Sequence, residues 1–210
     1  MKKLVVVTFG AVGVFVVAVV GMASADAITI NPSYAQGTFS SDYTQVTNPD
    51  PAGPGGQWAE TTYALDYNPN TEHDLWTSYT APGGEMLVSV NGATTPGLNV
   101  WLQIGSLASG TYTFETLVAN SYYANPPTLE LEVDGTQVGS SISLTSATGV
   151  WNLWSTTFTT SGGDLSIVDE NTEASGNDFS LAHVPDGGTT AVLLGGALIG
   201  LQGLRRKMAR

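Results

Sequence analysis

Residues 128–139 read TLELEVDGTQVG. Leu129, Leu131 and Val133 alternate with Glu130 and Glu132. In an extended chain this puts the apolar set on one face and both carboxylates on the other. Asp134-Gly135 follows at once, a pair suited to the positive backbone angles of a tight hairpin turn, and Val138 resumes the apolar pattern. The period is two, which no amphipathic helix can use. The stretch is therefore strand, turn, strand, with one face meant for a core.

Neighbouring stretches repeat the pattern. In GTYTFETLVAN (110–120), Tyr112, Phe114, Thr116 and Val118 share a face. In VWNLWSTTFTT (150–160), Trp154, Thr156 and Phe158 share one face, with Trp151 and Leu153 on the other. EMLVSVNG (85–92) ends at Asn91-Gly92, a turn signal, and DLSIVDE (164–170) and NDFSLAHV (177–184) complete the set. Helical periodicity is absent, and Gly, Pro, Asn, Ser and Thr punctuate the runs. Residues 46–60 form a Pro/Gly-rich loop. Short strands at this spacing without intervening helices predict an all-β, two-sheet sandwich over residues 28–183.

Charge is distributed unusually. All six basic residues lie at the ends: Lys2, Lys3, Arg205, Arg206, Lys207 and Arg210. All eighteen acids lie between Lys3 and Arg205, and the net charge is −12. The central domain therefore forms no Lys/Arg–carboxylate pair and repels nucleic acid and anionic surfaces. Such a surface suits a salty exterior, where screening is strong, or one that binds divalent cations. The absence of cysteine excludes disulfides, thiolate metal sites and a cysteine nucleophile.

The ends themselves look like addresses. Residues 1–27 have the parts of a signal peptide: Lys2 and Lys3, the apolar run Leu4 to Val20, and small-x-small cleavage patterns ending at Ala25 and Ala27. An uncleaved signal anchor is the alternative. At the other end Val184-Pro185-Asp186-Gly187-Gly188 breaks the chain before an apolar run, Ala191 to Leu204, that stops at Arg205, Arg206 and Lys207. As a helix, residues 189–204 reach roughly 24 Å, short of the ~30 Å hydrocarbon core. Local thinning and snorkelling basic side chains accommodate that shortfall. The positive-inside rule then holds residues 205–210 in the cytoplasm and the acidic domain outside.

The order of motif, short span and terminal arginine cluster resembles the PEP-CTERM type of bacterial sorting signal. Val184, Pro185, Asp186, Gly187 and Gly188 are most similar to its VPDSG-like variant, with Gly187 where serine is usual. The resemblance implies processing by an exosortase, a membrane-embedded transpeptidase-like enzyme, during export of proteins tied to exopolysaccharide and biofilm. A second resemblance spans Glu85 to Val184: MLVSVNGA, VWLQ, SGTYTFETLVANSYYANPPTLELEVDGTQVG, GVWNLWSTTFTT and LSIVDENTEASGNDFSLAHV, in that order. It is similar to a galactose-binding-like jelly roll, the architecture of many carbohydrate-binding modules. The jelly-roll sandwich is thus expected between an N-terminal signal helix and a short C-terminal transmembrane helix. That family usually continues Leu-Asp-Asp-Ile where this chain has Leu181-Ala182-His183-Val184.

No catalytic motif is present: no GxSxG, HExxH, P-loop or strand-linked GxGxxG. His73 and His183 lie far apart in sequence, and no spacing selects a carboxylate pair for glycoside hydrolysis. The protein is expected to be non-enzymatic. Calcium is the candidate cation, because oxygen-rich DENTEASGND (169–178) offers Asp169, Asn177 and Asp178, although not at EF-hand spacing. Sugar binding would need exposed rings, for which Trp58, Trp76, Tyr122 and Tyr123 in or near loops are the candidates. Trp101, Trp151 and Trp154 read as core. The expectation is an exported envelope or matrix protein processed by an exosortase. The alternative is a tethered, lectin-like module acting on exopolysaccharide.

Overall fold

A computed structural model describes residues 27–46, 61–71, 76–93, 95–170 and 177–185. The expected signal segment up to residue 26 and the expected span 189–204 lie outside these residues. Among the described residues no helix is long and apolar enough to cross a membrane.

Among the described residues thirteen strands follow in chain order. They are β1 (Ile28–Ile30), β2 (Phe39–Ser40), β3 (Thr44–Gln45), β4 (Thr62–Asp66), β5 (Leu87–Asn91), β6 (Leu98–Gln103) and β7 (Gly110–Asn120). Then come β8 (Thr128–Val133), β9 (Thr136–Gln137), β10 (Ile142–Ser143), β11 (Asn152–Thr160), β12 (Leu165–Asp169) and β13 (Asp178–Ala182). The only helical element among the described residues is a 3-10 turn, Pro69–Thr71. The strands form a sandwich of two sheets, as the alternating runs predict.

The seven-stranded sheet is organised around β7. One edge of β7 pairs with β11 along its length, from Thr160 against Gly110 to Asn152 against Val118. The opposite edge is shared. Parallel β1 occupies residues 112–114 and antiparallel β13 occupies 117–120, so these two strands lie end to end. Beyond β13 lie β5, β4 and β3. The six-stranded sheet runs β10-β8-β12-β6-β2, with β9 also on β8.

The core is the set of inward positions the alternation predicts. Tyr112, Phe114, Thr116 and Val118 of β7 are buried, as are Leu129, Leu131 and Val133 of β8 and Trp154, Thr156 and Phe158 of β11. Ring pairs line the inner face of the seven-stranded sheet, where Phe114 meets Trp154 edge-on at 5.4 Å and Tyr112 stacks on its cross-strand partner Phe158 at 5.8 Å, and Trp101 of the other sheet meets Phe114 at 6.3 Å. The β8–β9 turn has positive φ at both Asp134 (50°) and Gly135 (72°), the geometry a two-residue hairpin of matching twist requires.

Asn91-Gly92 acts differently from the turn its sequence suggests. β5 ends there, but a side chain at Gly92 would collide with the backbone of Asn177, so glycine permits a close approach between two segments. The outward face of the seven-stranded sheet is also not simply solvated. Small residues Ala64, Ser89 and Ser180 share that face on adjacent strands, and residues 76–81 lie over it as a roof.

Candidate functional site

Strand β13 carries a candidate site at each end. Its C-terminal end leads into the predicted sorting motif. There the side chain of Asn31, one residue past β1, pinches the chain: its Nδ2 donates to the Val184 carbonyl at 2.8 Å and its Oδ1 accepts from the Val184 amide at 3.0 Å. A primary amide offers both a donor and an acceptor in the geometry of a peptide, so Asn31 stands in for a neighbouring strand. The His183 ring joins this clasp. Its Nδ1 lies 3.1 Å from the Pro32 carbonyl, which only accepts, so the proton is assigned to Nδ1. That leaves Nε2 to accept the second Asn31 hydrogen at 3.4 Å. Beneath them the buried Thr116 hydroxyl donates to the Ala182 carbonyl at 3.1 Å, so the Tyr34 hydroxyl, 2.6 Å away, donates to Thr116. Full burial pushes the Tyr34 phenol well above its ordinary range. Pro185, exposed, rests near Gly83 and ends the described chain.

Residues 31–34 thus hold residues 182–184. The clasp reaches Val184, the first residue of the expected motif, rather than stopping at 183. Sequence reasoning passed over Asn31 because a lone asparagine after a short strand carries no pattern. Its partner is more than 150 positions away. Asp186, Gly187, Gly188, Arg205, Arg206 and Lys207 lie outside the described residues, as does Ala25. Ala27 is described and exposed.

At the N-terminal end of β13 the structure gathers most of the ligand candidates. Trp76 Nε1 donates to Asp178 Oδ2 at 2.8 Å. Tyr122 packs against the cluster of Trp76 and Ala64, and Tyr123 lies 4.5 Å from Tyr122, ring centre to ring centre. Main-chain bonds fix the corner: Ser121 donates to the Asp178 carbonyl and Thr77 to the Ser121 carbonyl. Tyr79 continues the roof, bonding Ser121 and Ser180 through its hydroxyl at 2.6 and 2.9 Å. Burial pushes the Tyr79 phenol up to about 12, while those two bonds pull it down.

Exposure sorts the aromatics. Trp76 is only 2% exposed, so it serves as a floor and not as a stacking surface. Tyr123 is 67% exposed and offers its ring to solvent. Trp58 and His73 lie outside the described residues.

The proposed calcium trio does not converge as a cation cage. Asp169 and Asn177 are buried together, and the Asn177 amide nitrogen faces both Asp169 oxygens at 3.4 Å. Asp178 instead turns to Trp76. A different set of carboxylates does cluster. Glu130, Glu132 and Glu170 bring one oxygen each within 4.8 Å of one another, all half-buried. Partial burial, then the Glu170 charge, raises the Glu130 carboxyl above its usual range. Partial burial, then Glu170 and Glu130, does the same to Glu132. The alternation of 128–133 put Glu130 and Glu132 on one face. It did not show that Glu170, which follows the neighbouring strand, would join them.

Residues 183–208 match the family model described as the VPDSG-CTERM motif. The chain therefore carries this sorting motif, which implies an exported, surface-associated protein. No curated protein matches the chain. A solved structure described as "EclA C-terminal domain; sugar-binding protein" is similar over 52% of this chain and 81% of that one, at 22% identity and a TM-score of 0.35. A superposition that loose carries nothing about this chain's ligand.

Proposed function

We propose that this is a non-enzymatic envelope or matrix protein, displayed by its sorting tag and released from it by an exosortase-type enzyme. The observation that supports this reading is the continuity of tag and fold. The matched motif starts at residue 183, directly after β13 and within the clasped residues, and the described chain ends at Pro185. Cleavage beyond that point leaves every core strand intact. Pro185 disfavours helix at Val184, so the motif begins as extended chain. The sandwich is the jelly-roll ectodomain, the final apolar run is its transient membrane span, and calcium is a candidate ion for its acidic face. The test is deletion of the exosortase-type gene in the native host. The expected result is accumulation of the full chain in the inner membrane. Unchanged release of a trimmed form would contradict the proposal.

A second reading, a lectin-like module acting on exopolysaccharide, is favoured by the placement of Tyr123. Six residue steps of extended chain, at about 3.3 Å each, put Asp178 roughly 20 Å from Val184. A ring at that end points away from a membrane holding the tag. An exposed tyrosine ring is a surface on which a sugar ring stacks. Binding of the intact protein to a polysaccharide array should be lost in Tyr123→Ala. Equal binding by the variant would reject this site.

A further inference from the structure

The outward face of the six-stranded sheet gathers negative charge at one place. Glu130 and Glu132 point outward from β8, because Leu129, Leu131 and Val133 take the inward positions. Glu170 follows β12 directly, and its amide donates to the Thr128 carbonyl at the start of β8 at 3.0 Å. One oxygen from each of the three glutamates lies within 4.8 Å of the others. Two ligands of one calcium ion, at about 2.4 Å each, stand no farther apart than about 4.8 Å. Magnesium, at about 2.1 Å, needs its ligands within about 4.2 Å. The cluster therefore has the span of a calcium shell. Charge selects a cation as well. The chain between Lys3 and Arg205 contains no Lys or Arg, so neither side chain neutralises the three carboxylates there.

Ser166 points to the same place. It pairs with Glu132 across the β8–β12 ladder and shares its outward face. It is only 3% exposed, and among the described residues its hydroxyl has no hydrogen-bond partner. Buried hydroxyls are normally satisfied. This one opens on the side where the carboxylates gather and offers a cation a neutral oxygen. Val168, the partner of Glu130, faces the same way and is fully buried, so the oxygens stand over an apolar floor. Low local polarity strengthens the attraction between carboxylates and a cation. We infer that Glu130, Glu132, Glu170 and Ser166 form a calcium site on the outward face of the six-stranded sheet. Water fills the rest of the shell.

An ion there ties β8 to the chain that leaves β12. It lies on the sheet that does not carry β13, apart from both the clasp and the aromatic corner. Three carboxylates and a hydroxyl on a half-exposed face suit the weak class of extracellular calcium sites, with dissociation constants of about 10⁻⁴–10⁻³ M. The site gives an address to the calcium proposed for the acidic face. It rests on that reading and not on the processing of the tag.

The full chain in neutral detergent micelles, stripped with chelator and titrated with calcium chloride in a calorimeter, should bind in that range. Calcium at ten times the dissociation constant should raise the melting temperature by about 4 °C. Magnesium chloride should bind roughly tenfold more weakly or not at all. Glu132→Gln and Glu170→Gln should each weaken calcium binding by roughly tenfold or more, and Ser166→Ala by roughly threefold. The glutamine at 132 also carries a sign that a merely structural role would not. In chelator Glu132→Gln should melt at or above the parent, because it relieves crowding, and in saturating calcium it should melt below the parent. A parent that shows neither heat nor a raised melting temperature overturns the calcium reading of the acidic face altogether. Calcium binding that persists undiminished in both glutamine variants leaves that reading standing and overturns this site. Magnesium binding as tight as calcium overturns the choice of ion, and undiminished binding in Ser166→Ala removes the hydroxyl from the shell.

Discussion

At its C-terminal end β13 is gripped by a small number of directed bonds: the Asn31 side chain holds the Val184 main chain, Thr116 donates to the Ala182 carbonyl, and the Pro32 carbonyl accepts from the His183 ring. At its N-terminal end it meets a buried indole bonded to the Asp178 carboxylate, and two adjacent tyrosines. The first end is an exit whose job is to define where the fold stops. The second is a corner where a roof packs over small strand residues and a polar ring is left outside. One five-residue strand thus separates the root of the sorting motif from the aromatic corner.

The largest effect expected at either end is at the indole. Trp76→Ala removes a fully packed side chain and the donor to Asp178, and should lower unfolding free energy by about 3–5 kcal/mol in a denaturant titration. Trp76→Phe keeps most of the packing and should lose only about 1–2 kcal/mol. If alanine costs no more than phenylalanine, the indole is not the floor of that corner. At the exit, Asn31→Ala removes the clasp and should cost about 1–2 kcal/mol. Its sharper sign is local: the Val184 amide should exchange with solvent much faster while core amides of β7 keep their protection. Uniform loss of protection would mean that the two ends are not separable. Asn31→Asp retains the acceptor for Val184 but loses both donors, so it should fall between the parent and alanine.

Smaller effects mark the surface of the far end. Tyr123→Ala should change stability by less than about 0.5 kcal/mol, since the ring is mostly in water. That leaves it a clean probe of binding. Glu132→Gln should raise the melting temperature slightly at neutral pH. The sign follows from the shifts. Glu130 and Glu132 hold their protons more tightly when folded, so their ionisation opposes folding as pH rises through the ordinary glutamate range. Below that range both states are protonated and the advantage of glutamine should vanish. A gain that persists at pH 3, below the usual glutamate pKa, would show that charge crowding is not its cause.

How far these ends were legible depended on whether a residue's role was local. Strand existence and inward faces in 110–120, 128–133 and 152–160 followed from alternation, because a strand's two faces are a property of adjacent residues. The tag was legible because it is contiguous. Asn31, Thr116 and Tyr34 were not, since each acts through a partner more than 80 positions distant. Trp76 sits in or near a loop in sequence, where a ring either faces solvent or packs beneath the loop, and its neighbours along the chain do not decide between the two. The small residues that make room for it sit on three strands elsewhere in the sequence. The carboxylates near 169–178 looked like ligands because they are dense in sequence, yet folding sends Asp169 and Asp178 in different directions while drawing in Glu130 and Glu132 from another strand.

An intact mass of the surface form isolated from the native host reads both ends at once. The predicted protein starts after Ala25 or Ala27 and finishes within residues 184–188, so that the clasp between Asn31 and Val184 survives. A surface form that still ends at Arg210, or one cut inside β13 before Ala182, would contradict it.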